Sequence, residues 1–326
     1  MSSGNTLEHR GGNWYVLLVG VPRLHASVIL ADGIALRPIE SPLSVFDLAA
    51  AGGVGFREWA MLEPFAGAAT CEIESSLDAA TTPGYDPLNR AWLAGALLVL
   101  RGYTHVLALA CSKYSWNVIA GHQKRSAPSF HAQLAEEGVD SAVHEPRMTL
   151  PGFSGGMLDY HLRIISTSAA EADSLCTDDL EWLAQHYEVF NKIAAETASF
   201  RFALEAAVDW RYSPDLRAAL ARIWAGIEAV YGINSELVFR VSLLSACLLE
   251  PRGDARRQRF NNVKKLYGIR SKAVHGESVS DEKLTQALDD SFRLLADLLL
   301  LSAEKGRALN KDDFERAVFG SSASAS

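Results

Sequence analysis

The chain has 326 residues, of which 48% are hydrophobic, and it carries a formal net charge of −8. This length is sufficient for two domains with proper cores, and the composition is that of a globular protein rather than a disordered one. The four cysteines lie far apart without C-x2-C spacing, which argues against a zinc site and against a disulfide framework.

The first half of the chain carries both strand and helix signals. Short apolar runs rich in β-branched and aromatic residues predict strands, and Asp32-Gly33 predicts a hairpin turn because both of its positions favour positive φ. The predicted elements are strands at 13–21, on either side of Asp32-Gly33, at 69–75, 104–111 and 158–165, and helices over 41–52 and 86–101. These mixed signals predict an α+β or α/β domain over residues 1–165.

The second half has helical periodicity throughout. Residues with a preference for helix ends divide it: Ser213 and Ser280 as N-caps, and Gly232 as a C-terminal stop. The predicted helices cover 178–209, 214–231, 236–249, 255–275 and 281–304. We therefore expect an α+β protein with an all-α bundle over 178–305. The low-complexity end GSSASAS predicts that 306–326 is a largely disordered tail.

The helix predicted over 255–275 belongs to a basic segment of an acidic chain. Residues 252–272 contain eight Lys or Arg and a single Asp, so we expect this face to bind a polyanion. The alternative is an ordinary solvent-exposed helix surface that binds nothing. Arg270 falls on the apolar arc of this helix, where an Arg is either buried and paired or presented at an interface.

Arg270 and His275 are the candidate catalytic residues. Cleavage of RNA without a metal uses the ribose 2′-OH as nucleophile, so the site needs proton-transfer groups and positive charge on the phosphorane. A His can transfer protons near neutral pH, and an Arg offers a fork of donors suited to phosphate oxygens. On an ideal helix the two lie roughly 140° and about 7.5 Å apart, so they flank a rim rather than stack.

The segment RSKAVHG, with its Arg-x4-His pattern, resembles the HEPN superfamily, and KKLY before it is similar to the Apea-like branch. RIWAGIEAVYG and ELVFRVSLLSACLLEP resemble the preceding helices, so the resemblance covers roughly 200–305. It implies a helical bundle, often a homodimer, in which Arg and His of two protomers meet to cleave RNA without a metal or other cofactor. It also implies a setting in phage defence or toxin-like growth arrest.

Further residues are expected near this site. Lys264, Lys265 and Lys272 are candidate RNA phosphate contacts or solvated charges, whereas Tyr267 and Ser271 either donate hydrogen bonds there or simply pack.

Each of the two predicted helices before the Arg-x4-His motif carries one charged residue on its apolar face. Glu228 and Arg240 are predicted to form a buried structural pair, since an unpaired buried charge is costly. The alternative is that Glu228 orients Arg270.

Three hypotheses follow for function. The first is a ribonuclease bundle whose N-terminal domain recognises a trigger, partner or RNA. The second is a non-catalytic bundle that binds RNA or a nucleotide as an adaptor, and the third is an enzyme in the N-terminal domain that the motifs do not reveal. The N-terminus lacks an apolar signal core and no aliphatic run can span a bilayer, so we expect a cytoplasmic protein without membrane contact.

Overall fold

The computed structural model describes residues 13–43, 67–76, 87–112, 115–120, 165, 175–233 and 236–320. Over these residues the protein is α+β, with an antiparallel sheet in the N-terminal region and helices in the C-terminal region, as the sequence predicts. Apart from their end residues, the predicted helix over 41–52 and the predicted strand over 158–165 lie outside the described residues.

The sheet has five strands in the order β2-β3-β4-β1-β5, and each neighbouring pair is antiparallel. The pairing of β2 with β3 confirms the predicted hairpin. Of the two turn positions only Gly33 has positive φ, at 69°, so the prediction of positive φ at Asp32 is wrong. The strands are β1 Asn13–Val19, β2 Val28–Ala31, β3 Ile34–Pro38, β4 Ala69–Ser76 and β5 Leu107–Ser112.

Two helices accompany the sheet in the described part of this region. Helix α1, Pro87–Leu100, packs on β4 and β1, and its buried Leu93 and Leu97 belong to the same core as the strands. Helix α2, Trp116–Ile119, is one turn long and begins with the fully buried Trp116.

The C-terminal region contains seven described α-helices and one 3-10 turn. They are α3 Thr177–Glu196, α4 Ala198–Asp209, the 3-10 turn Trp210–Tyr212, α5 Leu216–Tyr231, α6 Leu237–Leu249, α7 Asp254–Val274, α8 Asp281–Glu304 and α9 Lys311–Phe319.

Two predicted helix boundaries are wrong. The helix predicted over 178–209 is two helices, because Thr197 takes an extended conformation with φ of −129° and ψ of 105°. The predicted N-cap Ser213 is not the cap of α5, since the Asp215 carboxylate accepts a hydrogen bond from Ala218 N at 2.8 Å. In both places a residue that suits helix ends outweighs the periodicity around it.

Helix α5 is the central helix of the bundle, packing against α4, α8 and α7. Its Ile223, Trp224 and Ile227 have no exposed surface, and their spacing gives one buried face. Gly226 lets neighbouring helices approach, because a Cβ there would lie 2.7 Å from the Cβ of Ala206 and 2.9 Å from Leu295 Cδ2. Close packing of α5 thereby determines where its other side chains meet α7.

Contacts between Cα atoms divide the chain into two compact units. The first comprises 1–162 and 169–187, and the second comprises 163–168 and 188–326. The predicted boundary lies before the bundle, at 165–178, whereas the division in the structure also falls within α3, after Tyr187. The hydroxyl of Tyr187 donates to the backbone O of Arg90 at 2.9 Å, so the first turns of α3 pack with α1 in the first unit.

Helix α9 corrects the prediction that 306–326 is largely a disordered tail. Asn310 and Asp313 form a reciprocal capping box at its start, and the helix packs against α6. Asp313 is 4% exposed and receives a bidentate contact from Arg307 at 2.6 and 2.9 Å. The low-complexity residues 321–326 lie outside the described residues.

We predict that Asp313→Asn lowers the free energy of unfolding by about 1–3 kcal/mol at neutral pH, because it removes a charge-assisted hydrogen-bond acceptor. The Arg307 guanidinium lowers the pKa of Asp313 to about 2, below the usual carboxylate value of about 3.9. A depressed pKa contributes stability that is complete above the unfolded-state value and is lost as the pH falls. Urea titrations of both proteins should therefore converge between about pH 4 and pH 2.

Lys311→Gln is the matched control, since that side chain is 85% exposed and pairs only with Glu315 at 3.3 Å among the described residues. It should leave the unfolding midpoint nearly unchanged. Equal stability of Asp313→Asn and wild type at neutral pH would show that this cluster does not hold α9.

Candidate functional site

The predicted catalytic residues lie at the C-terminal end of α7. Arg270 is in the last helical turns, and His275 is the residue that ends the helix, with φ of −83° and ψ of 7°. His275 is exposed, and among the described residues none hydrogen-bonds to its ring. Its imidazole is therefore accessible to a substrate.

The end of α7 is a Schellman turn built on Gly276. The N–H of Gly276 donates to Ala273 O at 3.3 Å, and the N–H of Glu277 donates to Lys272 O at 2.9 Å. Gly276 has φ of 75°, which a residue with a Cβ adopts only with strain. The glycine that follows the histidine in the motif thus defines the direction in which the chain leaves the helix.

Arg217, which sequence reasoning missed, holds this turn from the first turn of α5. Its Nη1 donates to Ala273 O and its Nη2 to Glu277 O, both at 2.9 Å. The two carbonyls lie on either side of His275, so one planar guanidinium joins the helix end to the following loop. No sequence pattern points to Arg217, because its role depends on how closely α5 approaches α7.

Arg270 is paired within its own unit. Its Nη2 lies 3.4 Å from Oε1 of Glu228 on α5, and its guanidinium lies over the ring of Tyr267, 5.4 Å from the centroid. Tyr267 in turn packs edge-on against Trp224. This arrangement orients Arg270. Of the predicted alternatives, buried and paired or presented at an interface, Arg270 is paired, but it is only partly buried.

The prediction that Glu228 pairs with Arg240 is wrong, and the alternative partner, Arg270, is correct. Arg240 lies on α6, and within the described part of the chain its side chain makes no ion pair. Helical periodicity showed that Glu228 and Arg240 share apolar arcs, but α5 turns Glu228 towards α7 rather than α6. The contact is also less buried than expected, at 22% and 24% side-chain exposure.

The Glu228–Arg270 contact leaves hydrogen-bonding capacity unused. Arg270 Nε and Glu228 Oε1 are shielded from solvent, and neither makes a hydrogen bond. The shielded Nε is not accessible to a substrate, but 22% of the Arg270 side chain is exposed. Since a guanidinium has five N–H donors, a phosphate oxygen can bind at this exposed part while Glu228 keeps the side chain oriented.

The basic segment is not one continuous face. Three of its eight cations are engaged: Arg256 donates to Glu250 O, Arg259 pairs with Glu250, and Arg270 pairs with Glu228. The exposed cations are Arg252, Arg257, Lys264, Lys265 and Lys272. The excess of positive charge that is available to a polyanion is therefore smaller than the sequence count predicts.

The remaining predicted residues divide by position. Lys265 lines a groove between α7 and α8, whereas Lys264 and Lys272 are exposed elsewhere on α7 and do not line it. Tyr267 is buried beneath Arg270 and packs. Ser271 is half-buried, and its backbone O accepts from His275 N at 3.0 Å.

A separate polar cluster lies on the sheet of the first unit. The carboxylate of Glu72 has no exposed surface and accepts hydrogen bonds from Ser115 Oγ at 2.7 Å and Trp116 N at 2.6 Å. Burial raises the pKa of Glu72, against the effect of these hydrogen bonds. Ser115 is the N-cap of α2, and Glu72 holds this cap and the first N–H of the helix on the sheet.

Comparisons of this chain with protein-family models, with curated proteins and with solved structures found no match. The resemblance to HEPN proteins therefore stays a prediction. Among the described residues, no group of three or more His, Cys, Asp or Glu is placed to hold a metal ion, and no described helix is long and apolar enough to cross a membrane.

The corrected pairing predicts a specific pattern of energetic coupling. Glu228→Ala should lower the free energy of unfolding by about 1–3 kcal/mol, between the values for exposed and fully buried ion pairs, because it leaves the half-buried Arg270 unpaired. In a double-mutant cycle, Glu228→Ala and Arg270→Ala should couple by about 0.5–2 kcal/mol.

Arg240→Ala is the control for that cycle. Its effect should add to that of Glu228→Ala within about 0.5 kcal/mol, since the two side chains do not meet. Coupling to Arg240 that equals the coupling to Arg270 would contradict the pairing described above.

Proposed function

We propose that the C-terminal helical unit is a metal-independent endoribonuclease in which Arg270 and His275 act on the scissile phosphate. The observation that carries this proposal is the end of α7, where Arg217 and Gly276 hold the backbone around the exposed His275, five residues after the Arg270 guanidinium that pairs with Glu228. Catalytic groups are effective when supporting contacts hold them in place, and such contacts hold the backbone at His275 and the side chain of Arg270.

The chemistry follows from the two side chains. The ribose 2′-oxygen attacks phosphorus, its proton passes to a base, and the 5′-oxygen leaves with a proton from an acid, which yields a 2′,3′-cyclic phosphate and a 5′-hydroxyl. His275 supplies proton transfer. Arg270 stabilises the negative charge that develops on the non-bridging oxygens.

One copy of the chain supplies a single His275, whereas in-line cleavage is best served by two proton-transfer groups. We therefore propose a homodimer in which two copies of the Arg270 and His275 pair face one cleft. Val274 supports this face, because it precedes His275 and is apolar yet 48% exposed. Pairing with Glu228 means that Arg270 itself does not need the second copy as a charge partner.

A second candidate function is a non-catalytic module that binds RNA or a nucleotide as an adaptor. The ion pair between Glu228 and Arg270 favours it, since a paired Arg also serves a purely structural role. Under either function we propose that the first unit recognises a trigger, partner or RNA. The sequence resemblance implies a role in phage defence or toxin-like growth arrest, and we propose the cytoplasm as its location.

The catalytic proposal predicts cleavage of labelled RNA by the full-length protein in excess EDTA. His275→Ala should reduce the rate by about 10²-fold or more, and Arg270→Ala by a similar factor, because each removes a group that acts in the transition state. An oligonucleotide with 2′-deoxyribose at the cleaved position should resist cleavage, since it lacks the nucleophile.

His25→Ala is the matched control, as His25 is an exposed histidine of the first unit. It should cleave at the wild-type rate, and circular dichroism should show the same fold for every variant. RNA that stays intact with wild-type protein, yet is bound by it, would support the adaptor function instead. A wild-type rate in His275→Ala would remove His275 from the mechanism.

The dimer proposal predicts a solution mass twice that of the 35.4 kDa chain. Val274→Glu should produce a monomer and reduce cleavage in parallel, because it places a charge in the proposed contact. Phe319→Glu is the comparison, since Phe319 is 79% exposed but lies on α9. Light scattering that shows a monomeric wild type, or a dimer disrupted only by Phe319→Glu, would refute this interface.

A further inference from the structure

A groove of about 480 Å³ runs between α7 and α8, separate from the exposed ring of His275. Ile269, one of its lining residues, directly precedes Arg270, and Lys283 lines it from the first turn of α8. The loop that joins these helices carries His275 at its beginning. One end of the groove is therefore next to the proposed catalytic end of α7.

The groove has two lysines available to an anion. Lys265 and Lys283 are exposed, and within the described residues neither makes an ion pair. The other two cations that line it are neutralised, since Arg259 lies 3.0 Å from Glu250 and Arg293 lies 2.8 Å from Asp289. Asp290 also lines the groove, and its carboxylate accepts a hydrogen bond from Gln286 at 3.1 Å. The lining cations without an ion pair among the described residues are therefore Lys265 of α7 and Lys283 of α8, against this one carboxylate.

Apolar residues supply part of the groove lining, with Leu266 and Ile269 from α7 and Ala287 and Leu294 from α8. A lining of apolar residues with a few charged groups is typical of sites for small organic groups, and the volume is in the range of such sites. The best chemical match is a planar, uncharged ring attached to an anionic backbone, as in one nucleotide of an RNA chain.

The width of the groove restricts the form of that RNA. Packed helices have axes about 8–10 Å apart, so the space between them is far narrower than a nucleic-acid duplex. A base can enter only after it has left a stack or from a strand that is unpaired.

We propose that this groove binds one unpaired nucleotide of the RNA substrate, with Lys265 and Lys283 on the adjacent phosphates and the apolar surface against the base. The substrate is then single-stranded RNA or a loop, cleaved next to the bound nucleotide. This inference rests on the proposed ribonuclease function, which it deepens by naming the substrate class. It adds Lys283, a residue outside the basic segment of α7, to the binding surface.

The test measures binding separately from cleavage. Full-length His275→Ala protein in EDTA is titrated against a short, fluorescently labelled, unstructured RNA, with anisotropy as the readout. Lys265→Gln and Lys283→Gln should each weaken binding by about three- to tenfold. The slope of log affinity against log salt should fall in magnitude by about 0.7 for each lysine, or about 1.4 for the double variant.

Two further variants make the result specific to the groove. Gln286→Glu adds a carboxylate to the lining and should weaken binding, whereas Lys192→Gln removes an exposed lysine of α3 and should not. A duplex of the same sequence should bind more weakly than the single strand. Each substitution is at the surface, so circular dichroism spectra and melting temperatures should match those of the parent protein.

The outcomes separate the two proposals. Binding that depends on Lys265 and Lys283, together with wild-type protein that does not cleave, would support the groove and reject the nuclease. Cleavage by the wild type, with RNA affinity unchanged in the double lysine variant, would overturn the groove and leave the nuclease standing. Equal affinity for duplex and single strand would also overturn the groove proposal. So would a double lysine variant that loses binding of an acidic peptide but keeps its RNA affinity, because the groove would then be a peptide site.

Discussion

The contact between α5 and α7 is the constraint on which the rest of the candidate site depends. Two side chains of α5 reach α7: Glu228 meets Arg270, and Arg217 holds the carbonyls on either side of His275. Close packing around Gly226 and the buried Trp224 sets the position of α5. The geometry of an exposed polar site is thus decided by an apolar interface beneath it.

The pairing of Arg270 connects stability with function. An Arg that is only 22% exposed needs a partner, and Glu228 provides one without using all of the guanidinium donors. The same contact orients the side chain and partly shields it from water. A shielded Arg interacts more strongly with a phosphate than a fully solvated Arg does. Whether this pair serves catalysis or only the fold is decided by RNA cleavage, because both roles require the contact.

The distribution of charge on α7 shows why a count of basic residues is a poor guide to a binding surface. Arg256 and Arg259 lie in the basic segment but interact with the end of α6 and its carboxylate, Glu250. Lys283 lies outside the segment, yet it faces the same groove as Lys265. A polyanion responds to the charges that remain unpaired and share a surface. In this groove one such charge is on α7, and the other is on α8, outside the basic segment.

The sequence by itself determined the order and type of most described elements, because apolar periodicity, glycine turns and helix caps are local properties. Strands β1 to β5 and helices α1 and α5 to α8 follow from such signals. It also singled out Arg270, His275 and Glu228 as residues whose chemistry requires partners. It missed α9, since the capping box of Asn310 and Asp313 stands next to a low-complexity end.

Only the tertiary structure decided the partners. Glu228 pairs with Arg270 rather than Arg240, Arg217 holds the end of α7, and Lys265 and Lys283 share a groove. These relations depend on the rotation and approach of whole helices, which arise from close packing of side chains far apart in the chain. Helical periodicity assigns a residue to a face, but the neighbour of that face is a property of the assembled bundle.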